Sequence, residues 1–572
     1  MKKINKLILG LISAMVMIGC SEDKFLTQEN PNSITPASFW KSNDDFNKAL
    51  NTVYGALQFS SLSGANISYE MVRADMAGTE NWYPQYPFSE LTVNDASEHV
   101  QNKWNEAYVG IFRANQVIVN LANEDADLTA DEKTEIEAQA KFLRAFFYFE
   151  LVNSYNGAVV HLDVVTDPNE LNKNITSKEE VTNEVIIPDL EFAKQHLPLE
   201  WGGNGNVGRV TWGAATSLLG KIALYNKDYT NAATYFKEVI DSRVYSLTAN
   251  IGDNFSDENE YNVESIFEVA YSDVLKPGAS GETIDDNPFE TSGEATNMCT
   301  QTAPLSAGGY NTVIASYFLH ELMVFDEMDP TNSINNGFTT SQRMHASIVP
   351  REYDGLYFEE LTGEKTGWAY GQSAYVKKFS NWYKKQYEDA QGRSGINWRH
   401  IRYADVLLMY AEAVLEGSND FTTAMTYIDM VRARAGVKTL ALYVTENGGT
   451  FPALHESTQV TGTPHTQVVP SVETVRTHLR MVERPLELCF EGHRWRDLTR
   501  WGIMSEVLKQ NRRDEEWRIA NFSSIENQAP LYIVERVRPD YAVSSEIYNP
   551  EVHDYYPIPT SEKQINTGLT SN

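Results

Sequence analysis

Six charged residues near the C-terminus have the types and the spacing that acid–base chemistry requires. They recur at three- and four-residue intervals, which places them on adjacent faces of one helix: Glu483, Arg484, Glu487, Glu491, Arg494 and Asp497. Paired carboxylates act as acid and base only when they converge in a cleft with shifted pKa values. On a packed helix, the same charges form a buried network in which arginines bind carboxylates through two hydrogen bonds. We expect this structural role and predict no catalytic residue.

A second group of residues combines aromatic rings with polar side chains in a loop that proline interrupts. It comprises Asp75, Asn81, Trp82 and Tyr83. The rings of Trp82 and Tyr83 offer flat faces to the C–H surface of a sugar, while Asn81 and Asp75 bond its hydroxyl groups. In the alternative interpretation, Trp82 packs beneath the loop as a small satellite core. The pattern predicts a ligand-binding face in this loop.

Five further residues are candidates for contact with a ligand. Trp368 and Tyr370 belong to a second cluster of rings between residues 353 and 398, several of which we expect in the core. Asn43 and Asp44 most simply cap the helix that follows them, and their side chains reach a ligand in the alternative interpretation. Cys299 lies in a polar loop, where a small buried thiol is the simplest expectation and ligand contact is the alternative.

Other motifs are absent or lie in the wrong context. The run from Gly203 to Gly208 fits a dinucleotide fingerprint, but no apolar strand precedes it. The sequence has no Walker A loop, nucleophile elbow or zinc-protease helix. Its histidines are scattered, and the acidic residues from Asp253 to Glu260 lack the spacing of an EF-hand. The sequence therefore predicts no cofactor and no metal site.

The composition restricts the kind of partner. The 572-residue chain has a formal net charge of −31, which repels nucleic acid and strongly acidic polymers. It also has 11 tryptophans and 30 tyrosines, and such amphipathic rings suit exposed binding surfaces. We therefore expect a neutral ligand and no nucleic-acid partner.

The N-terminus has the pattern of an export signal. Three lysines precede an apolar stretch from Leu7 to Ile18, which is about half the ~20 residues of a membrane-spanning helix. The stretch ends at Gly19-Cys20 and resembles a bacterial lipobox, in which the cysteine is acylated and becomes the mature N-terminus. We predict a signal peptide at 1–19 and a lipid anchor in the membrane through Cys20. A plain signal peptide is the alternative.

The elements that position these residues are predicted from hydrophobic periodicity. Helical patterns cover about 179–197, 211–225, 229–242, 401–416, 420–435, 472–491 and 496–511, besides two helices near 104–119 and 131–151. Paired helices with small residues at their contacts resemble tetratricopeptide units, although the period is irregular. We predict a mainly α protein with five segments: the signal peptide at 1–19, an acylated tether at 20–45, a helical half at 46–245, a loop-rich aromatic ligand-binding region at 246–400, and a second helical half at 401–572.

The ordered motifs resemble those of one family. Residues 483–501 read Glu-Arg-Pro-Leu-Glu-Leu-Cys-Phe-Glu-Gly-His-Arg-Trp-Arg-Asp-Leu-Thr-Arg-Trp, and this segment resembles the signature of the SusD/RagB family of surface nutrient-binding lipoproteins from Bacteroidetes. Further blocks follow the family order: Phe39-Trp40 to Tyr54, Lys141 to Ala145, Gly208 to Val210, Arg402 to Leu408 with Ala411 to Ala413, Arg432 to Gly436, and Tyr556 to Pro559. The resemblance spans almost the whole mature chain and implies a SusD-like fold.

Two loops depart from the family pattern. The family often has Asp-Pro-Arg near its middle, whereas this chain has Asp329-Pro330-Thr331, and Arg343 follows after an insertion. The family also tends to have Gly-x-Val-Pro where this chain has Gly157-Ala158-Val159-Val160. Both departures affect local loop geometry.

The resemblance implies a non-enzymatic function at the cell surface. It implies a lipoprotein that forms a lid over a SusC-like TonB-dependent transporter in the outer membrane. The acidic residues after Cys20 also look like the export signal that sends Bacteroidetes lipoproteins to the cell surface. With the negative charge, this predicts binding of a neutral oligosaccharide or polysaccharide of the fructan or glucan type. The alternatives are a peptide-binding lid of the same kind of transporter and a surface glycoside hydrolase.

Overall fold

The computed structural model describes residues 39–569, apart from residues 166, 276–292, 336, 352, 354, 359, 362–373, 385–391, 530 and 532–540. Cys20 and the signal peptide therefore lie outside the described residues. The candidate ligand contacts Trp368 and Tyr370 lie outside them as well. The first helix begins at Asn43, within the segment assigned to the tether, so the tether stays a prediction for the residues before it.

Eight helices form the scaffold, and each packs against the next in chain order. They are Asn43–Leu57, Glu98–Asn120, Ala130–Tyr155, Ile187–His196, Trp212–Tyr225, Tyr229–Ser242, Tyr403–Ser418 and Phe421–Arg434. Short connections place successive helices side by side, which is the arrangement of a stacked helical-pair protein. The prediction of a mainly α fold built from irregular helical pairs is confirmed.

The residues between 242 and 403 form an insertion in this stack. The helix Tyr229–Ser242 packs directly against Tyr403–Ser418, although about 160 residues of sequence separate them. The α-helices of the insertion are short: Met298–Thr302, Tyr317–Phe325 and Gln342–Ser347. The insertion also holds most of the strands. Its position explains why the helical periodicity stops near residue 242 and resumes near residue 402.

The remaining helices are mostly short. The α-helices are Ser68–Met71, Tyr86–Ser89, Lys178–Val181, Leu440–Glu446, Thr458–Thr461, Val472–His478, Arg484–Leu488, Arg494–Trp501, Met504–Ala520, Phe522–Ile525, Ala542–Ile547, Pro550–His553 and Thr560–Ile565. The 3-10 turns are Ala65–Ile67, Pro168–Leu171, Asn204–Asn206, Ile251–Phe255, Leu305–Ala307 and Ser333–Asn335. Two π-helical turns, Thr182–Ile186 and Leu479–Glu483, each connect two of the α-helices.

The strands form antiparallel pairs. The pairs are Ala77–Gly78 with Ile314–Ala315, Gly157–Ala158 with Thr176–Ser177, Ser265–Val269 with Trp398–Arg402, Ile348–Pro350 with Ala374–Val376, Leu356–Tyr357 with Glu360–Leu361, and Phe451–Pro452 with Gln467–Val468. The longest, Ser265–Val269 with Trp398–Arg402, pairs the two ends of the insertion beside the helical stack. It thereby brings Arg399 and Arg402 into the interior, where both are buried.

Local sequence explains the longest helix. Thr129 and Glu132 form a capping box at its start, and Asn156 ends it in the left-handed conformation with a φ of 62°. The run from Phe142 to Phe149 is apolar on nearly all sides, and the structure buries every residue of it between neighbouring helices.

One predicted helix is two helices. The pattern at 496–511 predicted a continuous element, but the chain forms Arg494–Trp501 and Met504–Ala520 with a turn between them. Gly502 adopts a φ of 71° at that turn, a conformation that favours glycine. The apolar periodicity persists across the turn because both helices bury Leu498, Met504, Val507 and Leu508 in one shared cluster. Periodicity alone therefore hid the break.

Candidate functional site

The charged residues of the signature segment, residues 483–501, form a buried ion-pair network. Glu487 accepts from Arg402 at 2.7 Å and from Arg434 at 2.5 Å, and Glu491 accepts from Arg402 at 2.7 Å and from Lys378 at 2.8 Å. All of these side chains are buried. Burial alone opposes ionisation of Glu487, but Arg434 and Arg402 outweigh it and hold the pKa of this carboxyl well below its usual range.

Arg343 completes this network from the insertion. Its guanidinium donates to Asp326 at 3.1 Å and to Glu487 at 3.3 Å, and it also bonds Glu483. Burial would raise the pKa of Glu483, but Arg343 and Arg432 lower it to about 2. The arginine that follows the incomplete Asp-Pro-Arg motif is thus a buried partner of the signature carboxylates.

A second set of ion pairs surrounds Arg484. Its guanidinium donates to Asp405 and to Asp497 at 2.8 Å each, and Arg500 connects Asp497 to Glu412. The signature carboxylates are therefore bonded inside the protein, where Glu491 lines a small cavity of about 40 Å³. This arrangement agrees with the predicted structural role. The prediction that the six charges lie on one helix is wrong, because the helix Arg484–Leu488 ends before Glu491 and the helix Arg494–Trp501 begins after a turn.

The position of Asp75 contradicts one part of the predicted ligand face. Arg494 donates from Nε to Asp75 Oδ1 at 2.7 Å and from Nη2 to Oδ2 at 2.6 Å, and the Asp75 residue is 0 % exposed. Both carboxylate oxygens are occupied beneath the surface, so the prediction that Asp75 bonds a ligand is wrong. Its role is to anchor the loop that precedes Trp82 to the signature segment.

The structure brings Asn81, Trp82 and Tyr83 together on the surface. The strand Ala77–Gly78 pairs with Ile314–Ala315, and the turn after it exposes Asn81 and Trp82. Trp82 is 52 % exposed, and its ring lies 5.8 Å from that of Tyr83 at an interplanar angle of 51°. A ring that is half exposed in this way does not belong to a satellite core.

Tyr310 extends this surface and was not predicted. Its side chain is 55 % exposed, and the hydroxyl of Tyr83 donates to its backbone carbonyl. The backbone N–H of Tyr310 in turn donates to Thr300 at 2.6 Å. We call Trp82, Tyr83 and Tyr310 the aromatic platform. The signal in the sequence was a tyrosine after two glycines, a weak one that resembles many surface turns.

A cavity of about 340 Å³ opens beside the aromatic platform. Small residues close in sequence to Tyr310 form part of its lining: Thr300, Ala303, Ala307, Gly308 and Gly309. The polar side chains of Asp273, Asn381, Lys384 and Arg393 form a polar wall, and Phe358 also lines the space. We call this space the side cavity. Its volume lies at the lower end of the range of small-molecule pockets.

Lys384 fixes the polar wall of the side cavity. Its ammonium donates to Asp257 at 2.6 Å and to Asp273 at 2.8 Å. Burial lowers the pKa of Lys384, but the two carboxylates outweigh it and raise the pKa above its ordinary value. The lysine is therefore charged at neutral pH. An ammonium has three N–H donors, and the described residues supply two carboxylate acceptors for them.

Cys299 lies in the wall of the side cavity. Its residue is 5 % exposed, and its thiol donates to the Gly392 carbonyl at 2.9 Å. It is thus the small buried thiol that we expected, in a position next to the candidate ligand space.

Asn43 and Asp44 lie at the far end of a helix from this site. Ser42 and Asp45 form the capping box, while Asn43 accepts from Asn47 at 2.6 Å and Asp44 pairs with Lys48. The other end of this helix, at Gln58, bonds Ala270 and Glu294 near the side cavity. A helix of this length spans about 20 Å, so the two residues are not assembled with that end.

The rings of the second cluster that the structure describes belong mainly to the interior. Trp398 is buried and stacks on Phe379 with 4.8 Å between ring centroids. Trp382 packs beneath Lys377, whose ammonium lies 3.7 Å from the ring centroid. These positions agree with the expectation that several rings of this cluster are core residues.

No helix in the described ranges is long and apolar enough to cross a bilayer. In the same ranges, no group of three or more His, Cys, Asp or Glu side chains is arranged to hold a metal ion.

Comparisons with known families give matches along most of the sequence. Residues 263–572, more than half of the chain, match the model described as SusD family. Residues 24–224 match a model described as starch-binding associating with outer membrane. A SusD-like protein P2 from Formosa agariphila is 25 % identical over 519 residues, which cover 88 % of this chain and 91 % of that protein.

Solved structures share the fold. A SusD superfamily protein from Bacteroides vulgatus superposes with a TM-score of 0.71 at 23 % identity and covers 93 % of this chain and 99 % of its own. A laminarin-binding SusD-like protein gives a TM-score of 0.65 at 22 % identity with the same coverage. A surface glycan-binding protein A from Bacteroides thetaiotaomicron gives 0.63 at 19 % identity, again over 93 % and 99 % of the two chains.

Proposed function

This chain belongs to the SusD family, and from that premise we propose that it binds a neutral glycan at the cell surface without catalysis. It delivers the glycan to a SusC-like TonB-dependent transporter in the outer membrane, to which Cys20 anchors it through lipid. The observation that carries this proposal is the aromatic platform beside the side cavity. Half-exposed rings next to a polar cavity match sugars, which present apolar C–H faces and a rim of hydroxyl groups.

The ligand class follows from charge and from the composition of the site. A net charge of −31 disfavours glycans that carry sulfate or uronate groups. Asp273, Lys384 and Arg393 line the side cavity, and Asp257 also binds Lys384, so the charges balance and no excess of positive charge attracts an anion. A neutral fructan or glucan is the ligand class that fits these charges. The names of two similar proteins, which mention laminarin and surface glycans, agree with this class.

Absence of catalysis follows from the distribution of carboxylates. A glycoside hydrolase needs two carboxyl groups about 5–10 Å apart that both reach the sugar. Asp273 is the only carboxylate among the described residues that line the side cavity, and Lys384 pairs with it. The signature carboxylates are buried in ion pairs elsewhere. The site therefore supports binding and gives no support to hydrolysis.

A peptide ligand is the second candidate and has less support. Backbone-directed capture of a peptide uses an exposed strand edge. The strand pair nearest to the aromatic platform has two residues in each strand, and all four are buried. The exposed groups of this face are rings and side chains, which favours a sugar over an extended peptide.

A glycan panel tests this proposal. Purified protein is titrated calorimetrically with neutral fructans and glucans, with uronate-containing glycans and with mixed peptides, and each mixture is assayed for new reducing ends. We expect heat of binding for a neutral glycan only and no reducing ends above a buffer control. Binding confined to peptides, or turnover of a bound glycan, would overturn the assignment.

A further inference from the structure

We propose that the side cavity receives a single neutral sugar unit that branches from a glycan chain lying across the aromatic platform. This inference rests on the proposed function and specifies its ligand further. The ligand class is a branched neutral glycan whose side group is one sugar unit long.

The geometry joins the two parts of the site at one loop. Tyr310 belongs to the aromatic platform, and Gly308 and Gly309 immediately before it belong to the wall of the side cavity. The loop is held by hydrogen bonds from Tyr310 to Thr300 at 2.6 Å and from Thr312 to Gln301 at 2.9 Å. Gly309 and Tyr310 are consecutive residues. A glycan chain that stacks on Tyr310 therefore lies beside the loop that lines the side cavity.

The size of the side cavity limits what enters it. At about 340 Å³ it is near the lower end of the ~300–1,000 Å³ that small-molecule pockets occupy. Such a space is large enough for a sugar ring. It can therefore receive a side group while the main chain lies outside, on the exposed rings.

The two walls match the two kinds of surface on a sugar ring. Ala303, Ala307 and Gly308 leave a smooth wall for the C–H face of the ring. Lys384 also lines the side cavity, and its ammonium bonds Asp257 and Asp273, the latter through Oδ2, among the residues that the structure describes. A hydroxyl group both donates and accepts, so a lysine and an aspartate side by side suit two neighbouring hydroxyls.

The charge of the wall specifies a neutral branch. Lys384 is one cation between two carboxylates, Asp257 and Asp273, at 2.6 and 2.8 Å. Arg393 also lines the side cavity, so two cations and two carboxylates balance in this part of the site. Such a wall offers hydrogen-bond donors and acceptors without an excess of either charge, which suits a branch without a charge.

Matched oligosaccharides test the inference on the unmodified protein. Calorimetric titration compares linear cello-, manno- and xylo-oligosaccharides with their branched counterparts from xyloglucan, galactomannan and arabinoxylan, and linear with branched fructans. For the backbone that binds, we expect the branched form to bind about tenfold tighter or more, the factor that one or two added hydrogen bonds contribute. Glucuronoxylan fragments, whose branch is charged, should lose that gain.

A cavity-filling variant locates the effect. Ala307→Leu places a larger side chain in the side cavity, and Ala130→Leu makes the same change at an exposed residue at the start of the longest helix. We expect Ala307→Leu to abolish the preference for the branched form, and Ala130→Leu to leave that preference unchanged. Thermal unfolding verifies that both variants are folded. The comparison of linear with branched oligosaccharides uses the unmodified protein, so it does not depend on either variant.

The outcomes separate this inference from the proposed function. Equal affinity for linear and branched forms of a glycan that binds would overturn the branch and leave glycan binding intact. If affinity depends only on the number of chain ends, the side cavity binds the terminal sugar unit of a chain. That result would also overturn the proposal that it binds a branch. No binding to any glycan of the panel would overturn both proposals together.

Discussion

Arg494 and Asp75 form a two-point ion pair between residues that are 419 positions apart in the chain. Arg494 belongs to the signature segment, and Asp75 precedes the turn that exposes Trp82. The loop with the candidate ligand face is thus held in place by a residue that the family motif contains. The motif consequently supports the face from beneath without contacting a ligand.

Removal of one partner of this pair should destabilise the protein. Asp75→Asn leaves the guanidinium of Arg494 buried without its anion, and we expect the free energy of unfolding to fall by about 3–5 kcal/mol. Urea denaturation measures this loss. Asp44→Asn is the matched control, because Asp44 is exposed and pairs only with Lys48 on the surface, so its loss should stay below about 1 kcal/mol. Equal stability of the two variants would show that the Asp75 pair contributes little. Titration of Asp44→Asn with glycan also tests Asp44 as a ligand contact.

Trp82→Ala should weaken glycan binding without changing stability. A stacked ring contributes about 1–3 kcal/mol by analogy with base–aromatic stacking, so affinity should fall roughly 5- to 150-fold. Because Trp82 is 52 % exposed, the free energy of unfolding should stay within about 0.5 kcal/mol of the unmodified protein. Phe112→Ala removes a ring that is 48 % exposed on another helix and should change neither quantity. A lowered melting temperature with unchanged affinity would assign Trp82 to the core.

Acid should destabilise the fold in part through His320. Burial, together with the nearby Arg518, lowers the pKa of His320 to about 3, whereas the unfolded chain titrates near 6.5. Between these values the unfolded state binds the extra proton, so stability is lost as the pH falls from 6.5 toward 3. This one group contributes a slope of about 1.4 kcal/mol per pH unit. His320→Gln should show a shallower decline by that amount between pH 6 and pH 4.5, and an unchanged slope would contradict the assignment.

Cys20→Ala should release the protein from the membrane. The resemblance to a lipobox predicts that this cysteine carries the lipid, so the variant should lack incorporated fatty acid and should no longer be degraded by protease added to whole cells. Metabolic labelling and surface proteolysis measure the two effects. Cys489→Ala is a suitable control because that thiol is buried in the core, where lipid cannot reach it. Labelling of the Cys20 variant at the normal level would rule out the lipid anchor.

The sequence predicted those features that depend on local pattern. The helices at 212–225, 229–242 and 403–418 follow from apolar periodicity, and the signature carboxylates were assigned to ion pairs because arginines lie at matching intervals. The exposed Trp82 and the partly buried Tyr83 were proposed because rings and polar side chains share a loop that proline interrupts. These three kinds of signal act over a few residues and need no knowledge of the tertiary fold.

Other features depend on contacts between distant parts of the chain. Asp75 reads as a free loop carboxylate until Arg494 is placed beside it. Tyr310 is an ordinary turn residue until Tyr83 bonds its carbonyl. The side cavity likewise combines residues from 273 to 393, and no local pattern indicates that they meet. Tertiary packing creates these features, so periodicity and composition did not reveal them.

The spacing of the Asp75–Arg494 pair also affects how the protein is made. At a synthesis rate of about 5–20 residues per second, the 419 residues between the partners take roughly 20 to 80 s to appear. Glu150 has Lys103 of the same half as a partner and gains Arg496 only later. During that interval Asp75 lacks its buried cation, so the native packing of its loop is incomplete. The loop that precedes Trp82 therefore reaches its native position only when the signature segment has been made.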